Sequence, residues 1–197
     1  TMEKPLMITS SPHLHSGDST RMIMLDVLIA MIPAAVMSVW LFGWRAAMVE
    51  LICVASCVAA EYLSCLVLKK PSSVGDLSCI VTGLLAFNLP VTIPLWQAAL
   101  GSVIAIVVAK QMFGGLGQNF VNPALLGRIV LMSSFAESMN TWIAPRAVDA
   151  VSTATPLALL AEGDTATYTV RELLFGLRPG CLGETCALAL LMGGIYL

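Results

Sequence analysis

Charge is what this sequence has least of. Only 11% of its 197 residues are charged, while 58% are apolar. Soluble domains run at roughly 25% charged and 45–50% apolar, so water is the wrong solvent to assume. The 10 basic residues are scattered against 12 acidic ones, which excludes a nucleic-acid face or a polybasic lipid-binding arm. Histidine is nearly absent: His13 and His15 alternate near the start with no carboxylate or cysteine beside them, and they read as surface residues rather than metal ligands. The 6 cysteines include no Cys-x-x-Cys pair, so iron–sulfur ligation is not expected. Cys53, Cys57, Cys65 and Cys79 lie inside apolar runs and read as small buried hydrophobes. Residues 1–21 hold no apolar core ahead of a cleavage site, which excludes a signal peptide there.

What the chain does have is a series of long apolar runs. Residues 25–42 are marred only by Asp26 and Pro33, and Gly43, Trp44 and Arg45 close the run as interfacial residues should. Residues 46–68 follow, ending at Lys69, Lys70 and Pro71, with Glu50 and Glu61 the charges inside. A hydrocarbon core about 30 Å thick needs roughly 20 apolar residues per helix, so both runs read as spans. A run over 79–89, stopped by Pro90, and one over 91–109, ending at Lys110, predict a third, shorter span and a fourth. Residues 121–135, carrying Asn122, Pro123 and Arg128, predict a fifth, interrupted one. Residues 185–197 are apolar but cover only about 20 Å at 1.5 Å per residue, which predicts a helix that continues past Leu197.

The expected fold is therefore all-α, a polytopic transmembrane helix bundle. Residues 1–24 form an N-terminal segment, 25–135 a bundle of about five spans, some short or broken, 136–182 a segment outside the hydrocarbon, and 183–197 the start of a further span. With the N-terminus cytoplasmic, Lys4, Arg21, Lys69, Lys70 and Lys110 all fall inside, against Arg45 alone in a short outer loop. That orientation puts 136–182 on the outer face.

Two constellations could carry chemistry. Asp149, Ser152, Thr153, Ala154 and Thr155 precede Pro156 and an apolar stretch, so Thr155 is a candidate N-cap with Pro156 in the first helical position. A plain cap needs no further purpose. The same point is also a natural seat for a phosphate, because unpaired backbone N–H groups and the helix dipole favour an anion there. The second constellation runs from Lys110 through Gly114, Gly115 and Gly117 to Asn119, Asn122, Pro123, Gly127 and Arg128. Glycines at that density let backbone approach a neighbouring helix or a ligand. Non-helical backbone at membrane depth must be buried in protein or line a cavity. Glu50 and Glu61 stand three helical turns apart on nearly one face of the second span. Ionisable groups in spans often mark ion routes, although Glu50 can also be read as an interfacial partner of Arg45.

The Asp-x-x-Ser-x-Ala-Thr string ending at Thr155 and the Gly-Gly-x-Gly-x-Asn…Asn-Pro-Ala…Gly-Arg string resemble a family of covalent-flavin membrane subunits. That family holds the D subunit of Rnf complexes and the B subunit of the sodium-pumping NADH:quinone oxidoreductase. The stretches 10–16 and 82–90 are similar to it as well. The resemblance implies FMN bound to Thr155 through a phosphoester, with Asp149, Ser152 and Ala154 fitting the motif and Thr153 standing where glycine is usual. It implies that Gly115, Asn119, Asn122 and Arg128 shape a flavin pocket or an ion path, with riboflavin as a possible second flavin. It further implies one half of a two-repeat protein in the inner (plasma) membrane, working among other membrane and peripheral subunits of an Rnf complex. Such a subunit relays electrons between ferredoxin and NAD in a chain coupled to Na+ or H+ transport, and is an oxidoreductase and translocase only as part of that assembly. The short segment before the first span favours the Rnf branch over the quinone-reductase branch. From another class, a channel or secondary transporter without flavin shares the broken helices.

Overall fold

A computed structural model describes residues 19–69, 73–145, 156–161 and 168–197, and every regular element among them is helical. Helix α1 spans Thr20–Phe42 and α2 spans Trp44–Val67, joined by Gly43 alone. That one-residue reversal works because Gly43 sits at φ 74°, a conformation a side chain would strain, while its N–H caps the Val39 carbonyl. The first helix starts earlier than the apolar run predicts. Ser19 accepts from the Met22 N–H, and this cap draws residues 20–24 into the helix.

Helix α1 and helix α2 are the two among the described residues long and apolar enough to cross a membrane. Helix α1 buries Ala30, Ala34 and Ser38 on one stripe and turns Ile32, Val36 and Trp40 outward. In lipid there is no hydrophobic drive between helices, so small residues form the contact seam and large ones face the acyl chains. Trp40, Trp44 and Trp96 are all exposed, Trp44 by 77%. They gather at the Gly43 end, as interfacial indoles do.

The predicted third and fourth spans correspond to two short apolar elements, Ser78–Asn88 and Leu95–Gln111, separated by a turn. Helix α3, Ser78–Gly83, tightens into a 3₁₀ segment, Leu84–Asn88, and ends before Pro90. Helix α4, Leu95–Ile104, widens into a π-helical stretch, Ala105–Gln111. The turn between them is held by Arg45, whose guanidinium donates to the carbonyls of Val91, Thr92 and Ile93 at 3.0, 3.3 and 3.2 Å. The 3₁₀ end is closed from far along the chain: the N–H groups of Gly183 and Leu182 donate to the carbonyls of Phe87 and Leu89 at 3.0 and 3.1 Å.

Helix α5, Pro123–Ser134, crosses α4 closely, because a Cβ on Gly127 would lie 2.9 Å from the Gly101 carbonyl oxygen. Short helices follow: α6 (Ala136–Met139), α7 (Pro156–Ala161) and α8 (Val170–Phe175). Helix α9, Ala187–Tyr196, returns along α1.

The α1–α9 seam yields a paired test. A Cβ at Gly193 would lie 2.1 Å from the Ala30 carbonyl oxygen, whereas one at Gly194 meets nothing within 4 Å. Gly193→Val should cost about 1–3 kcal/mol by overpacking, and Gly194→Val should stay within about 0.5 kcal/mol. Thermal unfolding of the detergent-solubilised protein separates the two; equal midpoints would refute the seam.

Candidate functional site

The glycine-rich loop after the π-helical stretch is built by its backbone. Gly114, Gly115 and Gly117 adopt φ of 112°, 107° and 85°, which only glycine takes up without strain. The Gly115 N–H donates to the Lys110 carbonyl at 3.0 Å, and Phe113 meets Phe120 edge to face with centroids 4.6 Å apart. Asn122 then starts α5 as its N-cap, its side chain accepting from the Ala124 N–H at 3.0 Å.

This loop walls a cavity of about 680 Å³, within the roughly 300–1,000 Å³ usual for ligand pockets. Its polar lining comes from Ser78, Thr82, Asn88, Asn119 and Asn122, with Glu184 at the rim of the 181–184 segment. Its apolar lining includes Met24, Met31, Phe87 and Phe120. Asn119 Oδ1 is buried and has no hydrogen-bond partner among the described residues. A buried acceptor left unpaired costs about 1–3 kcal/mol, so the site fits a ligand with a donor group at that point. Amide and hydroxyl groups beside aromatic rings suit a flat, polar heteroaromatic ligand.

Of the residues expected here, Asn119 and Asn122 line the cavity, and Gly115 does not, although Gly117 does. Arg128 stands behind the wall, donating from one guanidinium nitrogen to Asn88 Oδ1 at 3.1 Å. Asn88 is further fixed by the Cys181 thiol, which donates to its carbonyl oxygen with Sγ at 3.4 Å.

Lys110 corrects an expectation. A cytoplasmic loop is where the apolar runs put it, yet it is 1% exposed and pairs with Glu61, 0% exposed, at 2.6 Å. Lys110 Nζ also donates to Ser78 Oγ at 2.7 Å, and Ser73 donates its hydroxyl proton to the same Glu61 oxygen. Lys110 lies on the cavity wall as well. Glu61 is thus no free carboxylate, and Glu50 stands apart from it, accepting from the Ser38 hydroxyl of α1. Sequence reasoning takes Lys110 only as the start of the glycine-rich constellation, without its partner Glu61, and misses Ser73 and Ser78 as functional candidates. One signal could have found the lysine: counting α4 from Pro94 puts Lys110 only about 24 Å along, short of the hydrocarbon thickness of about 30 Å.

Asp149, Ser152, Thr153, Ala154 and Thr155 lie outside the described residues. Helix α7 does begin at Pro156, the position expected to be first in a helix. Helix α8 carries a complete capping box: the Glu172 N–H donates to the Thr169 hydroxyl oxygen and the Thr169 N–H donates to the Glu172 carboxylate, which also takes the Thr169 hydroxyl proton, and the bonds to the carboxylate hold it below its ordinary value.

The Arg128–Asn88 bond can be isolated by substitution. Arg128→Met strands Asn88 Oδ1 and should cost roughly 1–2 kcal/mol, while Arg128→Met with Asn88→Leu should recover most of it, since replacing both partners removes the orphan. A double variant no more stable than the single one would show that the bond does not anchor the wall.

A profile described as NQR2, RnfD, RnfE family matches residues 7–197. The chain is 48% identical over 200 residues to the D subunit of the Na(+)-translocating ferredoxin:NAD(+) oxidoreductase complex of Acetobacterium woodii, covering 99% of this chain and 63% of that protein. It is 41% identical over 204 residues to the D subunit of the proton-translocating ferredoxin:NAD(+) oxidoreductase complex of Clostridium ljungdahlii, covering 96% of this chain and 61% of that protein. The D subunit of an ion-translocating oxidoreductase complex of Escherichia coli is 33% identical over 231 residues, covering 96% of this chain and 65% of that protein. The chain therefore spans 61 to 65% of the length of these relatives. With its apolar helix bundle and this match, the chain is a membrane protein that belongs to the NQR2, RnfD, RnfE family.

Proposed function

We propose that this chain is the D-subunit part of an ion-translocating ferredoxin:NAD+ oxidoreductase of the Rnf type, relaying electrons through FMN bound covalently to Thr155. The observation that carries the reading is the family match over 7–197, which encloses the Asp149, Ser152, Ala154, Thr155 string. Relatives named as D subunits of ferredoxin:NAD+ oxidoreductase complexes support it at 48 and 41% identity. One of these is named Na+-translocating and the other proton-translocating, so overall likeness to them leaves the ion open.

The flavin supplies one-electron chemistry, and the protein's part is to hold it, orient it and exclude water. Thr155 contributes the esterified oxygen, ahead of a helix whose first N–H groups favour phosphate. The cavity beside the glycine loop takes a second flavin without a phosphate, of the riboflavin class. Beyond Lys110 and the rim Glu184 its polar lining is amides and hydroxyls, and the unpaired acceptor at Asn119 Oδ1 supports a ligand with a ring N–H. The subunit sits in the plasma membrane with 1–24 cytoplasmic and 136–182 outside, among the other membrane and peripheral subunits of the complex.

Two measurements separate the flavins. In a denaturing gel, ultraviolet fluorescence should stay with the polypeptide and vanish in Thr155→Val, and mass spectrometry of the peptide over 149–160 should show an FMN-sized adduct. A colourless denatured protein would overturn the covalent assignment. Flavin released into the supernatant on denaturation should fall severalfold in Asn119→Leu while the in-gel signal is unchanged; undiminished release would remove the second flavin from this cavity.

A further inference from the structure

The helix that carries Lys110 changes width on the way to it. Its buried residues come in pairs four apart: Gln97 and Ala98, Gly101 and Ser102, Ala105 and Ile106, then Ala109 and Lys110, with Gln111 after them. An α-helix turns about 100° per residue, so each four-residue repeat drifts by about 40°, and Lys110 would stand about 120° off the buried face. The π-helical stretch Ala105–Gln111 removes most of that drift, because each of its turns holds more chain than an α turn. Hydrogen bonds of five-residue spacing run on past its end: the Met112 N–H donates to the Val107 carbonyl and the Gly115 N–H to the Lys110 carbonyl, both at 3.0 Å. Long π stretches are rare and do not hold themselves. This one is held from outside. Lys110 donates to Glu61 at 2.6 Å and to Ser78 at 2.7 Å, and the Gln111 side chain bonds to Glu61 as well.

We propose that the π stretch carries one surplus residue, that the Lys110–Glu61 pair is the latch keeping it wound in, and that Lys110 is thereby a positioning residue for the cavity. Unlatched, the stretch passes to α-helical register, which turns its end by about 100° and moves it by about 1.5 Å, the step of a single residue. Ala109 then takes the direction of Lys110, and the surplus residue passes into the glycine loop. The loop can absorb it, because Gly114, Gly115 and Gly117 carry no side chain to restrict their backbone. Leu116, Gly117, Asn119 and Phe120 wall the cavity directly after the stretch, so the shift displaces them together. Helix α5 stays where it is, since Asn122 caps it and Gly127 packs it against Gly101, ahead of the π turns. The latch therefore sets the shape of one cavity wall. Its effect on a bound flavin rests on the cavity being a flavin site, as proposed above; the latch itself does not.

The test uses the full-length protein that carries this chain, purified in detergent. Lys110→Met combined with Glu61→Gln removes the latch without stranding a buried charge. Deleting Val108, which is exposed, removes the surplus residue, so that an α register then keeps the present direction of Lys110. Deleting Leu51, also exposed but in the regular helix α2, is the control. The Val108 deletion alone should melt at or above the wild-type temperature, and the Leu51 deletion well below it. Amide hydrogen exchange over 105–115 should be severalfold faster in the double variant, with α1 unchanged, and deleting Val108 in that variant should bring it back to the wild-type rate. Flavin released on denaturation should fall severalfold in the double variant and recover with the same deletion. Exchange unchanged in the double variant, exchange raised but not restored, or a Val108 deletion as damaging as that of Leu51 would each overturn the latch. Flavin lost and not regained while exchange is restored would make Lys110 a direct contact and overturn its positioning role. Exchange as expected with flavin release constant throughout supports the latch and takes the second flavin out of the cavity.

Discussion

A backbone N–H or C=O inside a bilayer has no water to turn to, and that constraint shapes this fold. Continuous helices satisfy it by themselves, and α1 and α2 do so. The pair of broken elements between Ser78 and Gln111 cannot, because the chain leaves helical geometry at Leu89 and resumes it only at Leu95. Each freed carbonyl there is met by something specific: Arg45 serves those of Val91, Thr92 and Ile93, and the N–H groups of Leu182 and Gly183 serve those of Leu89 and Phe87. The break is therefore built, and the space it leaves between α1, α3, α5 and the glycine loop becomes the cavity.

The same constraint separates what is readable in the sequence from what is not. Local features are readable: two long apolar runs, a Gly43 reversal, a stop at Pro90 and a glycine loop that demands positive φ are properties of neighbouring residues. The Asn122 cap and the start of α7 at Pro156 belong with them. Pairings across long sequence distance are not readable. Nothing near Gly183 announces that its N–H will close the helix end at Phe87, and nothing near Arg45 points to a turn almost fifty residues ahead.

The candidate site divides along the same line. Asn119 and Asn122 are legible because polar residues flanking a glycine run at membrane depth need a cavity to face. Lys110 is not, because a lysine closing an apolar run looks like an interfacial charge. Its burial follows from the break: the chain spends residues 89–94 on a turn, so the helix that carries Lys110 starts late and ends inside. The misreading of Lys110 thus has its cause in the turn between the two short spans. Glu61 shares it, since a carboxylate that deep in α2 is tolerable only with the displaced ammonium beside it.

Burying an ion pair beside this cavity has an energetic logic. Removing one partner from a buried pair costs about 3–5 kcal/mol, whereas the same pair exposed to water contributes about 0–1 kcal/mol. Burial therefore makes Glu61 a firm tether for Lys110, and the Ser73 and Ser78 hydroxyls supply further hydrogen bonds to the pair. The cavity wall at Lys110 is thus fixed by a contact between α2 and the π-helical stretch, two elements that the turn over 89–94 sets side by side.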